Sequence, residues 1–226
     1  MNTVHFEDLK NIEYKEAWEY QENLVLQIQE EKKKNISPIS HQLLFCEHPH
    51  VYTLGKSGTE NNLLINDEFL KRIKASYFKS NRGGDITYHG PGQLVGYPIF
   101  DLNQFDFQVK RYIDKLEQAV INTIAKWGIE GHRLEGATGV WLDTDKKGQT
   151  RKICAMGVKI SRWVTMHGFA LNVNTNLDYF NHINPCGFVD KGVTSMEKEL
   201  QKKINFDEVK KVLKEELAKE FNLKYI

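Results

Sequence analysis

Between Val109 and Trp127 the apolar residues Val109, Tyr112, Ile113, Leu116, Ala119, Val120, Ile124 and Trp127 recur at steps of three and four. That spacing gives a helix one apolar face along about five turns, and Gly128 stops it. A face of that length must be covered, and a β-sheet is the cover that the neighbouring sequence offers. Gln42 to Glu47 (QLLFCE), Val51 to Lys56 (VYTLGK), Leu94 to Leu102, Val140 to Leu142, Ile153 to Ile160 and Trp163 to Asn174 are short runs rich in β-branched and aromatic residues, the composition of strands. The class this predicts is α/β, with the Val109–Trp127 helix packed on a sheet.

The remaining segments fit that class. Val4 to Leu9 reads as a short strand, and Tyr14 to Lys34 as an exposed helix ended by Ser37 and Pro38. Asn61 to Ile65 reads as polar loop followed by strand, Asp67 to Lys74 as a short helix and Ser76 to Ser80 as a strand. Val140–Leu142 and Ile153–Ile160 form a hairpin whose exposed tip is Asp143 to Thr150. Asn205, three residues before Glu208, opens a last helix with Val209, Val212, Leu213, Leu217 and Phe221 on one face. His48 and His50 flank the turn between the two strands of QLLFCEHPHVYTLGK. Lacking a third ligand nearby, they read as solvated or loop-packing histidines and not as a metal pair.

With 226 residues the chain can bury one sizeable core, so residues 1–226 are expected to form a single domain. Lys plus Arg (31) nearly equals Asp plus Glu (30), which gives no charge-based reason to expect nucleic acid or an anionic membrane as partner. The start MNTVHFEDLKNIEY has neither a signal sequence nor a transit composition, and no run is apolar enough to span a bilayer, so a cytoplasmic protein is expected. Cys46, Cys154 and Cys186 are widely spaced and lack a C-x-x-C pair, which points to free thiols in a reducing compartment.

The stretch RGGDITYHGPGQLVGYPIFDL (Arg82 to Leu102) suggests where a ligand would bind. Gly83, Gly84, Gly90 and Gly92 let the backbone approach a bound group closely, Pro91 stiffens the turn, and the apolar run that follows anchors the loop on a sheet. The stretch carries no adequate nucleophile. Cys186 does, in NPCGF, where Pro185 and Gly187 point to a thiol on a loop. A thiol needs a cation, a base or a helix N-terminus to ionise near neutrality. Lys152 in RKICAMG, Lys159, Arg151 and several histidines could serve. His89 and His167 each precede a glycine, where a ring could reach a ligand or satisfy its own loop, and Cys46 and Cys154 read as core residues.

The blocks RGGDITYHGPGQ (Arg82 to Gln93), RKICAMGVKI (Arg151 to Ile160), HGFALNV (His167 to Val173) and NPCG (Asn184 to Gly187) closely resemble the octanoyl-carrier-protein:protein octanoyltransferases, the lipoyl-transferase enzymes of lipoate biosynthesis, and the looser stretches EHPHVYTLGK and GVTSMEKEL also match. The resemblance runs from about Leu43 onward. It implies a mixed β-sheet flanked by helices, like the catalytic domain of biotin and lipoate protein ligases. It puts the acyl-accepting cysteine on Cys186 and its activating lysine on Lys152. It puts substrate binding on Arg82, Gly83, Gly84, Asp85, Ile86, Thr87, Tyr88 and His89, on Ala155, Met156 and Gly157, and on Gly168, Phe169 and Ala170. Tyr88, Leu94, Met156 and Phe169 would line an apolar slot for the eight-carbon chain. The chain departs from the family pattern at Asp85, a variable position, and in the hairpin extension Asp143 to Thr150.

The donor implied is octanoyl-acyl carrier protein. The acceptors are lipoyl domains of 2-oxoacid dehydrogenase E2 subunits and the glycine cleavage H protein, and no cofactor, metal, nucleic acid or membrane is called for. An ATP-dependent lipoate ligase of the same fold would need no cysteine nucleophile, and a non-catalytic binder of acyl chains or lipoyl domains would need neither Cys186 nor Lys152.

Overall fold

A computed structural model of the chain describes residues 2–37, 39–105, 108–184 and 191–226. The chain runs through β1 (Asn2–Asn11), α1 (Tyr14–Lys33), β2 (His41–Glu47), β3 (Val51–Leu54), α2 (Asp67–Arg72), β4 (Ser76–Lys79), β5 (Ile86–His89) and β6 (Gln93–Ile99). It continues through α3 (Val109–Ala125), β7 (His132–Leu134), β8 (Ala137–Leu142), β9 (Arg151–Ser161), β10 (Val164–Asn172), β11 (Gly192–Val193), α4 (Met196–Leu200), α5 (Phe206–Phe221) and β12 (Leu223–Tyr225).

Among the described residues the larger sheet has nine strands in the order β12-β1-β2-β6-β10-β9-β8-β7, with β11 joined to β9. The β1–β12, β1–β2 and β9–β11 pairs are parallel and the others antiparallel, so the sheet is mixed. Helices cover both faces. The apolar stripe of α3 packs with α5 against Leu43, Phe45, Leu94, Phe169 and Leu171. The buried face of α1, Ala17, Leu24, Val25 and Ile28, packs on Leu44, Val95, Ile99 and Met166 of the other side. As predicted, Asn205 caps α5, its side-chain oxygen accepting from the Glu208 N–H at 3.2 Å.

A second sheet, β4-β3-β5, carries its own apolar cluster of Tyr52, Leu54, Ile86 and Tyr88 with Leu70 of α2. β2 and β3 therefore enter different sheets. The turn between them is pinned by His48, whose ring bonds the Ile12 carbonyl and the Tyr97 hydroxyl, each at 2.7 Å. β5 lies inside the glycine-rich stretch, which is thus two short loops around a strand. No strand forms at Asn61–Ile65; a 3₁₀ turn spans Glu60–Asn62, and Leu63 makes one bridge with Ile183.

Gly96 in the centre of β6 shows why one glycine suits a buried strand. A Cβ there would lie 2.1 Å from Cζ of Phe169, so the bare backbone is the floor on which the ring of the HGFALNV block rests.

Candidate active site

Three of the four sequence blocks, RKICAMG on β9 itself, HGFALNV on β10 and the glycine-rich loop, meet along β9, and the fourth, NPCG, lies beyond Asn184 outside the described residues. β10 pairs with β9 as far as Leu171 opposite Cys154, and beyond that point β11 takes the edge, with Gly192 opposite Arg151 and Val193 opposite Lys152. The Gly192 N–H donates to the Thr150 carbonyl at 3.0 Å and the Thr194 N–H to the Lys152 carbonyl at 2.9 Å. Lys152 thus lies between Trp141 of β8 and Val193 of β11. Arg151 staples this corner. Its guanidinium makes a two-pronged bond to Glu199 of α4, at 2.7 and 2.6 Å, and also bonds Asp143, while Thr194 donates to Glu199. The Arg151 bond holds the Glu199 carboxyl below the usual range despite its burial.

The half-buried Lys152 side chain runs past Gly139, and its ammonium lies 4.4 Å from the centre of the Trp141 ring. Trp141 is 2% exposed, with its indole N–H donating to the Ala137 carbonyl at 2.8 Å. From the helix beneath, the buried carboxylate of Glu117 accepts from the Gly139 N–H at 2.9 Å and from Arg133 at 3.1 Å. Burial pushes the Glu117 carboxyl above its ordinary range.

Further along β9 four glycines come together. Gly157 is opposite Gly168, and the Gly83 N–H donates to the Val158 carbonyl at 2.9 Å. A Cβ on Gly157 would come within 2.7 Å of the Gly83 carbonyl, and one on Gly168 within 2.1 Å of the Gly96 carbonyl. The glycine-rich loop, the AMG segment and the HGFALNV block are therefore in direct contact. Gly157 is five residues from Lys152 along the strand, about 16 Å.

Arg82 serves its own loop. Its guanidinium donates to the Thr53 carbonyl and hydroxyl, the Gly83 carbonyl and the Asp85 carbonyl at 2.6–3.1 Å, and it is 7% exposed. Both oxygens of Asp85 accept from the Asn62 amide at 2.9 and 2.7 Å, and the Asn62 carbonyl accepts from the Asn184 N–H at 2.8 Å. Asn62 joins the glycine loop to the residue that opens the NPCG block. Cys186 itself lies outside the described residues.

Behind the loop is a buried hydrogen-bond chain. His89 donates from Nδ1 to the Gln93 side-chain oxygen Oε1 at 2.8 Å; the Gln93 side-chain amide donates to Asn172 Oδ1 at 2.8 Å, and the Asn172 amide donates to the Thr194 carbonyl at 3.0 Å. His167 bonds Asn81 at 2.7 Å from a left-handed backbone, φ 59°. Of the four aliphatic and aromatic side chains expected around an acyl chain, Tyr88, Leu94 and Phe169 are buried in packed clusters and Met156 is half-buried. Tyr88 bonds His50 at 2.7 Å and stacks on Tyr179. Ile86 and Ala170 are buried, while Thr87 and Ala155 are half-buried.

His41, His48, His89 and His167 are between 0% and 7% exposed, and burial pushes their pKa values down, to about 4 for the first two and about 3 for the others. The unfolded chain takes up these protons below about pH 6.5, whereas the folded chain resists until the depressed values are reached. Stability is therefore complete above about pH 6.5 and is lost on acidification, by up to ~1.4 kcal/mol per pH unit for each histidine. Urea titrations should give a flat midpoint from about pH 8 to 7 and a steep fall between about pH 6 and 4; a midpoint that holds constant through that range contradicts the neutral buried cluster.

Comparison with known proteins places the chain. The lipoyl protein ligase A/B catalytic domain model matches residues 13–218. An octanoyltransferase of Cytophaga hutchinsonii is 50% identical, over 98% of this chain and 93% of its own length. One of Flavobacterium johnsoniae is 55% identical over 93% and 94%, and one of Bacteroides thetaiotaomicron is 52% identical over 96% and 95%. Among solved structures, a bipartite lipoate protein ligase of Thermoplasma acidophilum has a TM-score of 0.72 at 14% identity, covering 100% of this chain and 86% of that one. An ATP-bound lipoate-protein ligase A has a TM-score of 0.69 at 14% identity, covering 100% and 87%. These structures share the fold, a mixed sheet between helices.

Proposed function

The chain belongs to the lipoyl protein ligase A/B catalytic-domain family and is an acyltransferase, and from that premise we propose that it moves an octanoyl group from octanoyl-acyl carrier protein to a lysine of an apo lipoyl domain through a thioester on Cys186. The observation that carries this reading is the parallel pairing of β11 with the start of β9. Val193, seven residues after Cys186 in the sequence, lies opposite Lys152.

In the first half-reaction the Cys186 thiolate attacks the carbonyl of the donor thioester. A C–S bond to the enzyme forms, the C–S bond to the phosphopantetheine arm breaks, and the departing sulfur takes a proton supplied through Lys152. In the second, the lysine amine of the acceptor attacks the enzyme thioester, losing a proton through Lys152 as an amide forms and the thiolate is restored. Thioester exchange is nearly isoenergetic and the amide is more stable than the thioester, so no ATP is required. The loop around Gly83, the AMG segment and Gly168 form the substrate wall, with Arg82 and Asp85 holding the loop in shape. The acceptors are lipoyl domains of 2-oxoacid dehydrogenase E2 subunits and the glycine cleavage H protein. The setting is cytoplasmic, and among the described residues no helix is long and apolar enough to cross a membrane.

Mixing purified protein, octanoyl-acyl carrier protein and an apo lipoyl domain without nucleotide should add one octanoyl group to the domain. Modification only from free octanoate plus ATP, with pyrophosphate release, would instead identify a ligase; binding without any product would identify a non-catalytic protein.

A further inference from the structure

We propose that Trp141 is the positioning residue of Lys152, its indole face holding the ammonium on the strand that pairs with β11. The inference rests on the reading that Lys152 serves Cys186, and it goes beyond that reading by saying what directs the lysine. A lysine side chain has four rotatable bonds and an end that prefers water, so a functional lysine needs something to confine it. Three features do so here. The ammonium lies 4.4 Å from the Trp141 ring centre. The indole cannot turn away without breaking its N–H bond to Ala137. The lysine stem passes Gly139 at a distance that a Cβ there would just touch, 3.5 Å to Cε, and Glu117 fixes Gly139 from below. Among the described residues the charged or titratable groups at this corner include Arg151 with Asp143 and Glu199, Lys146 on Asp143, Glu117 with Arg133, and the buried thiol of Cys154.

An aromatic face favours the charged ammonium over the neutral amine. Losing it should lower the pH at which Lys152 gives up its proton, so the alkaline limb of the transfer rate moves down by about one pH unit. The geometry can be tested apart from activity by reductive methylation of the lysines with ¹³C-formaldehyde, Lys152 being assigned by the signal that Lys152→Arg removes.

In the wild type the Lys152 methyl signal should be displaced upfield by the indole ring current. Trp141→Leu should return it to the position of the other lysines and shift the alkaline limb, and Trp141→Phe should give intermediate values for both. A Lys152 signal that coincides with the other lysines in the wild type overturns the proposal, as does a Trp141→Leu profile identical to wild type. Should the leucine variant fail to fold, the wild-type signal and Trp141→Phe decide. A Lys152→Ala protein that transfers at the wild-type rate would refute the role of Lys152 itself while leaving the ring-current shift in place; an inactive Lys152→Ala beside an unchanged Trp141→Leu would refute only the role of the tryptophan.

Discussion

Replacing Lys152 by alanine is expected to slow octanoyl transfer about 10²–10⁴-fold while leaving a cooperatively folded protein. The two parts of that expectation have separate grounds. Lys152 is half-buried at the end of the paired region of β9, and its backbone bond to Thr194 does not depend on the side chain, so alanine leaves β11 in place. The chemical loss comes from removing both a cation that favours the thiolate and the group that passes protons to and from sulfur and nitrogen.

Alkylation of Cys186 by iodoacetamide separates those roles. Each unit by which a cation lowers a thiol pKa gives about tenfold more thiolate at a pH below that value. Lys152→Ala should therefore alkylate at least about tenfold more slowly near neutrality and catch up only in alkali, towards the ordinary thiol pKa of about 8.5. A rate-versus-pH curve that overlays the wild type would remove Lys152 as activator, and attention would pass to Arg151, Lys159 or the histidines. Arg151 is a poor substitute on structural grounds, because its guanidinium is engaged by Glu199 and Asp143. His89 and His167 are poor ones too, since burial keeps them neutral well below pH 7 and leaves each a weak base.

The elements most visible in the sequence were those with local, periodic patterns. The three- and four-residue steps of α3, the hairpin of β8 and β9, the run of β10 and the Asn205 cap are all present in the structure. What the sequence hid was pairing between distant segments. β11 and β12 have two and three residues, too few for any periodicity, and each exists because a partner strand far away in sequence accepts it. The separation of β2 and β3 into two sheets depends on the buried bonds of His48, whose partners Ile12 and Tyr97 are remote in the chain.

The candidate site was legible in its blocks and obscure in its supports. The four motifs were readable through their resemblance to the octanoyltransferases; the residues alone left Lys152, Lys159, Arg151 and several histidines open as the activator of Cys186. Glu117 left a signal that could have been read: a carboxylate within the stripe Ile113, Leu116, Val120, Ile124 on the buried face of α3. Trp141 could be placed on a strand, but that it faces Lys152 follows from the register between β8 and β9, which shifts between Val140 and Trp141. Asp85, which read as a departure at a variable position, is held by Asn62, and that pairing joins segments 23 residues apart. The resemblance put Arg82 among the substrate-binding residues, and its bonds to Thr53 of β3 and to Asp85, just before β5, depend on the antiparallel pairing of β3 with β5, which no local pattern announces.

The central claim is that the acyl group passes through the thiol of Cys186. It is tested most directly by intact mass spectrometry after brief incubation with octanoyl-acyl carrier protein in the absence of any acceptor. The wild-type chain should gain one octanoyl group that hydroxylamine removes and that an added apo lipoyl domain discharges, while Cys186→Ala should gain none. A hydroxylamine-labile octanoyl group on the Cys186→Ala chain, or transfer by that variant at the wild-type rate, would contradict the account.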